Sequence, residues 1–348
     1  YNRNNIMNYK EFINYYSPFI IAALLAFIIF VPFVSKINFM QNDDWVYYEM
    51  IPRFMKGDFR LHTYTGPTFY LQGIIAALYS HVFGIENIPF LTLVVSVLNF
   101  ALIAFILNRY FVKNRLLSIL LGFLYFISPL STYLKLGFMT EEYYLLFFLL
   151  SILFFVRYEN SKNWTELAVT YIFILLSLMI RQVALTAALS IAIYYLIKFI
   201  DEKDALSRKN LIVSSILFAF FYFIYTIVLP LSPRIVEVGL KYEHFLRIDY
   251  VYTLLFGSFT IIAAYFAPIF ISFVDFKNLN KKNVILYVIG GAISFFILNY
   301  FFRPDIHFSS TFPYIGNTVE RTGLYPLGIA GEKHIFLFGT HTFHELWG

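Results

Sequence analysis

The chain contains no cysteine. That excludes disulfides, thiolate metal ligands and a thiol nucleophile, and it leaves the compartment open. Charge is also scarce: Asp, Glu, Lys and Arg make up 14% of the 348 residues, against about 25% in soluble domains. There is no phosphate-cradling glycine loop of the P-loop kind and no dinucleotide fingerprint, so ATP-driven work within this chain is not expected. Nothing points to a nucleic acid as partner. What is present is apolar: 59% of the residues are hydrophobic and 21% aromatic. They come in continuous runs of about 20 residues, long enough for spanning helices. The strands of a membrane barrel would instead alternate polar and apolar. The sequence therefore predicts an all-α polytopic membrane protein.

Apolar runs at 17–38, 88–107, 115–133, 142–156, 166–180, 183–199, 211–230, 251–274 and 284–302 give about nine transmembrane helices. Each is long enough, or nearly so, to cross about 30 Å of hydrocarbon at 1.5 Å per residue. The 166–199 region is divided at Arg181-Gln182, because unbroken it would run about 50 Å. The run 67–84 is expected to lie in the interface as an amphipathic helix. With that choice and a cytoplasmic N-terminus, 14 of the 26 Lys and Arg fall in the short inside segments 1–16, 108–115, 157–165, 198–210 and 275–283, as the positive-inside rule requires. The segment 19–35 is too long for a signal peptide and reads as a retained anchor. Residues 1–302 are expected to form the membrane domain and 303–348 an extracytoplasmic tail. The start at Tyr1 rather than Met is read as the mark of a piece of a longer chain.

Three places on the expected outer face concentrate chemistry. The first is the loop 39–66, with Asp43 and Asp44 before a short helix at 45–56. Trp45, Tyr48, Phe54 and Met55 are expected to face the bilayer, and Arg53, Lys56 and Arg60 to meet anionic head groups. One aspartate could be a plain N-cap, but not both. The second is "MTEE", where Thr140 is expected to cap a helix with Glu141 and Glu142 in its first turn. The third is Arg181-Gln182, an arginine in apolar surroundings that needs an anion: a lipid phosphate or an outer-face carboxylate. His62 and Lys135 are weaker candidates for the same cleft. "HTFHE" at 341–345 pairs two histidines without a third ligand and is not expected to bind metal.

The order "NDDW", then a segment ending in "HVFG", a span opening at "IPF", "SPLSTYL" leading into "MTEE", and "MIRQ" in the next outer turn resembles the GT-C superfamily of membrane glycosyltransferases. The likeness is to the protein mannosyltransferase and aminoarabinose transferase group, especially its bacterial and archaeal Rgt-like members, and it covers residues 17 to 200. The resemblance implies a polyprenyl-phosphate-linked sugar donor and an extracytoplasmic glycan, lipid or protein acceptor. It implies that Asp43 or Asp44 acts as base or holds the acceptor. It places Glu141 or Glu142 at a second acidic site, and Arg181 and Gln182 near the donor phosphate; Lys135 is added to them as a candidate phosphate-binding residue. Arg53 and His62 would line the substrate cleft. The expected location is the cytoplasmic membrane of a bacterium or archaeon, in contact with membrane lipids.

The residues suit that chemistry on their own terms. Displacing a phosphate-linked sugar needs a base for the acceptor hydroxyl and a cation to balance the leaving phosphate. Whether a divalent metal joins the site, with Asp44 and Glu141 as ligands, is left open; oxygen-only ligands suit Mg or Mn. The alternative reading is a polytopic transporter or a flippase for lipid-linked sugars, which would place ionisable residues at mid-membrane on broken helices.

Overall fold

The computed structural model describes residues 9–34, 43–62, 65–231, 289–290, 319–320, 323–324, 334–336 and 340–342. The chain divides into two compact units, residues 1–237 with 331–343, and residues 238–330 with 344–348. In the second, the described residues include a hairpin of β1 (Val319–Glu320) and β2 (Gly323–Leu324). Among the described residues the first holds a hairpin of β3 (His334–Phe336) and β4 (Thr340–Thr342) and ten α-helices. The expected spans at 251–274 and 284–302 lie outside the described residues except for 289–290, as do His344 and most of the 303–348 tail.

The helices are α1 (Tyr9–Val34), α2 (Asp44–Met55), α3 (Leu71–Phe83), α4 (Ile88–Ile106), α5 (Arg115–Ile127), α6 (Pro129–Lys135), α7 (Thr140–Ser161), α8 (Trp164–Leu178), α9 (Ala184–Glu202) and α10 (Ala205–Phe223). The described parts of the other seven expected runs lie on helices, apart from a few residues at turns. Among the described residues, four helical stretches are long and apolar enough to cross a membrane: Asn14–Val34, Ile85–Phe111, Ala184–Glu202 and Ala205–Leu231. The helices α3, α5 and α8 are apolar but shorter. The run 115–133 is two helices, because a residue before proline is driven out of the helical region. Ser128, ahead of Pro129, takes ψ 145°, which ends α5. Its hydroxyl then accepts from the Ser131 amide and starts α6.

Side-chain bonds fix an up-and-down course. At one end, the Asn108 amide donates to the Tyr15 hydroxyl at 3.2 Å, and Arg115 donates to the Asn14 carbonyl. The start of α1 thus lies beside the α4–α5 turn. Tyr158 near the end of α7 bonds Asn210 of α10 at 2.8 Å, and Arg157 pairs with Glu166 at the start of α8. Glu159 receives Lys162 and Lys198, the latter near the end of α9.

At the other end, α2 and α3 both pack on the start of α7 and on the α8–α9 turn. Since α4 leaves that end, where Thr92 bonds Tyr143, and reaches the Tyr15 end, both ends of α3 lie at the end of the bundle away from Tyr15. At 13 residues α3 is about 20 Å long, short of the hydrocarbon thickness.

Among the described residues two apolar clusters stand out in the core. One gathers α2, α3, the start of α4 and Phe138, Met139, Tyr143 and Ile180. The other joins α7, α8, α9 and α10 through Tyr158, Tyr171, Ile174, Tyr195 and Phe221. The outward apolar residues of α1 (Ile20, Ile21, Leu24, Leu25, Ile28, Ile29) and α10 (Ile212, Ile216, Phe220) are each half exposed or more. A soluble protein rarely shows apolar stripes of this length, and the pattern is compatible with a membrane protein.

Candidate active site

The short helix α2 supplies the aspartates. Tyr47, Met50, Ile51 and Phe54 recur at helical spacing and are all buried, so one face of α2 is inserted into the cluster with α3. This corrects the expectation for Phe54. It does not face the bilayer but lies 4% exposed, against Gly73, where a β-carbon would overlap its ring. Trp45 is 41% exposed, consistent with an interfacial place. Asp43 stands at the N-cap position without a side-chain cap bond and reaches solvent. Asp44 turns the other way. It is 1% exposed, beneath Gly137 and near enough to Tyr143 to act on it electrostatically.

The second part is the start of α7. Met139 takes the N-cap place with an extended backbone (φ −67°, ψ 154°). Thr140 is therefore the first helical residue and not the cap. Its hydroxyl is turned to Tyr47 instead. Consecutive helical residues point about 100° apart, which separates the two glutamates. Glu141 is partly exposed and pairs with Arg181. Glu142 is 1% exposed and points into the bundle. There the Asn99 amide donates to its carboxylate at 2.8 Å and to its carbonyl at 2.8 Å. Ser131 donates to it at 3.2 Å and Tyr125 at 3.3 Å.

The third part is the α8–α9 turn, held by the entry to α3. The last carbonyls of a helix need outside donors. The carbonyl of Met179 accepts from the amides of Tyr70 (3.1 Å) and Leu71 (3.0 Å), and that of Ile180 from the Thr68 hydroxyl at 3.0 Å. Gln72 donates to the Phe138 carbonyl at 2.9 Å, tying α3 also to the α6–α7 turn. Arg181 is fixed by this lattice while about a third of its side chain stays exposed. Gln182 is exposed, with its amide oxygen beside Gly66.

Asp43, Glu141, Arg181 and Tyr47 form one electrostatic group. Desolvation by packed neighbours, then the charge of Glu141, raise the Asp43 carboxyl above the usual aspartate value, while Arg181 opposes the rise. The Tyr47 phenol is raised by burial first and then by Glu141 and Asp43. Three segments distant in sequence thus meet at one end of the bundle: two carboxylates, a guanidinium and a phenol. The arrangement can accept a proton and can balance an incoming anion.

Other expected residues are placed differently. Lys135 is not available to a donor phosphate. It is fully buried, its ammonium 4.5 Å from the Phe30 ring centroid and 3.5 Å from that of Phe126, donating to the Phe126 carbonyl. Arg53 lies ten residues beyond Asp43, about 15 Å along α2, and pairs with Asp58 at 3.5 Å, so it does not join the group. The His62 ring packs edge-on to Trp45 at 6.0 Å, beside the start of α2. Of the two possible metal ligands, Asp44 lies under Gly137 and Glu141 pairs with Arg181. Among the described residues no group of three or more His, Asp or Glu is placed to hold a metal ion.

A polar row on α4 lies beyond the three expected places. Thr92, Ser96 and Asn99 are each 0% exposed; Thr92 bonds the Tyr143 hydroxyl at 2.9 Å, and Asn99 holds Glu142. Their spacing of four and three in an otherwise apolar run was the available signal. Gly137 is a further close contact of the site, its α-carbon set against the Asp44 carboxylate. Gly137→Ala is expected to lower stability by about 1–3 kcal/mol, because its methyl overlaps the Asp44 carboxylate and must displace a buried neighbour. Thermal unfolding in detergent measures this, and an unchanged midpoint would show that the corner relaxes freely.

No protein-family model matches the chain, and neither does any curated protein or solved structure.

Proposed function

We propose that the chain is a membrane glycosyltransferase that moves a sugar from a polyprenyl-phosphate donor to a hydroxyl of an extracytoplasmic acceptor. The observation that carries the reading is the convergence of Asp43, Glu141 and Arg181. Asp43 takes the acceptor's hydroxyl proton. The acceptor oxygen attacks the anomeric carbon, and the bond from that carbon to the phosphate oxygen breaks. Polyprenyl phosphate leaves with the electron pair, and Arg181 balances its charge. A raised Asp43 pKa makes it a stronger base than an ordinary aspartate.

The extracytoplasmic placement is supported by the opposite end, whose three described turns carry Arg109, Lys113, Arg115, Arg157, Lys162, Lys198, Lys203, Arg208 and Lys209. The test is reconstitution with a panel of polyprenyl-phosphate hexoses and pentoses, scoring release of polyprenyl phosphate. No release from any donor, with no polyprenyl lipid found on the purified protein by mass spectrometry, would sink the reading.

The buried Glu142 and Lys135 favour one rival, a lipid flippase or transporter, since intramembrane ionisable groups mark transport paths. Movement of labelled donor across a vesicle bilayer without acceptor, unaffected by Asp43→Asn, would establish it.

A further inference from the structure

The α9–α10 turn lies at the end of the bundle away from Asp43 and Arg181. Beside it is a groove of about 760 Å³ whose walls include Phe199, Ile200, Lys203, Arg208, Lys209 and Ile212. Charge and apolar surface are separated along the helix axis. Arg208 and Ile212 are four residues apart on α10, as are Lys209 and Val213, so each cation stands one turn nearer the helix start than the apolar residue below it. The Arg208 row continues through Ile212, Ile216 and Phe220, which are 50%, 62% and 50% exposed. Lys203 closes the groove from α9, in the left-handed C-cap conformation (φ 54°).

The cations of this groove are not consumed by internal pairs. Among the described residues neither Lys203 nor Arg208 has an ion-pair partner. Lys209 stands 4.4 Å from the centroid of the Trp164 ring, and tryptophan is favoured at the membrane–water boundary. The one acid in the walls, Asp204, is occupied by its own helix: it accepts from the Ser207 amide at 2.6 Å and the Ser207 hydroxyl at 2.9 Å.

We propose that this groove is a binding site for an anionic glycerophospholipid, with the head-group phosphate between Lys203 and Arg208 and an acyl chain along Ile212, Ile216 and Phe220. A free anion would satisfy the cations and leave the apolar row uncovered; a zwitterionic lipid would bring its own cation to them. Basic pockets beside spanning helices are suited to such head groups. The proposal rests on α9 and α10 crossing a membrane and is independent of sugar transfer.

The test compares the full chain in nanodiscs of phosphatidylcholine with one-third phosphatidylglycerol, counting retained lipid by native mass spectrometry. Lys203→Gln and Arg208→Gln are each expected to lower phosphatidylglycerol retention about five-fold. Arg109→Gln, at the same end but outside the groove, is expected to leave it unchanged. Equal retention in the groove variants, or equal loss in Arg109→Gln, would overturn the site. So would displacement of the lipid by excess inorganic phosphate, which would make this a free-anion site. Wild-type protein supplies a check that needs no variant: a photoreactive phosphatidylglycerol should label residues 199–220, and labelling confined to other segments counts against the proposal.

Discussion

Asp43→Asn is expected to slow sugar transfer by about 10²–10⁴-fold, the usual worth of a positioned general base, with helical content and unfolding midpoint unchanged. The amide keeps the size of the side chain but cannot take a proton from the acceptor. Asp43 makes no side-chain cap bond, so little of the fold depends on its charge. Asp44→Asn should behave differently. That side chain is enclosed under Gly137, so its replacement should register in stability before it registers in rate. Turnover of a polyprenyl-phosphate sugar, read beside thermal unfolding, separates the two. Full activity in both single variants and in the double variant would remove the aspartates from the chemistry.

Removing the guanidinium should be nearly as damaging. Arg181→Ala is expected to cost about 10²–10³-fold in turnover, comparable to the loss of one preorganised charge-stabilising donor, and to weaken donor binding more than acceptor binding. It also has a pH signature. Arg181 holds the Asp43 pKa down against desolvation and Glu141. Without it the Asp43 pKa rises further, so the base becomes protonated at a higher pH and the acid limb of the rate profile moves up. Glu141→Gln removes a raising influence and should move the same limb down. Opposite displacements in the two variants would show that the three groups act on one titration. Acid limbs that stay in place would mean that Asp43 is not the group being titrated.

Much of the helical layout was legible from hydrophobic run length alone. The break at Arg181-Gln182 follows from length, and the brevity of α3 agrees with a segment expected to stay in the interface; the run 115–133, expected as one span, is instead divided at Pro129. Each is a local property of the chain. Which face of α2 is buried was not legible: Trp45, Tyr48 and Phe54 are all bulky and apolar enough to face lipid, and only the small Gly73 on α3 admits the Phe54 ring. Lys135 was misread because an interfacial lysine and one enclosed by two phenylalanine rings look alike in sequence. The divergence of Glu141 from Glu142 follows from helix rotation. Which of them meets Arg181 depends on where α7 sits against α4, a contact that includes the Asn99–Glu142 bond across 43 residues.

The bonds from the α3 entry to the α8–α9 turn carry a consequence for biogenesis. Thr68 and Ile180 are 112 residues apart, roughly 5–20 s of translation. During that interval the donors of Thr68, Tyr70 and Leu71 have not yet met their acceptors. A nascent chain halted between them should expose an untethered first loop, cleavable by an added protease, which becomes protected only after the turn bearing Arg181 has been made.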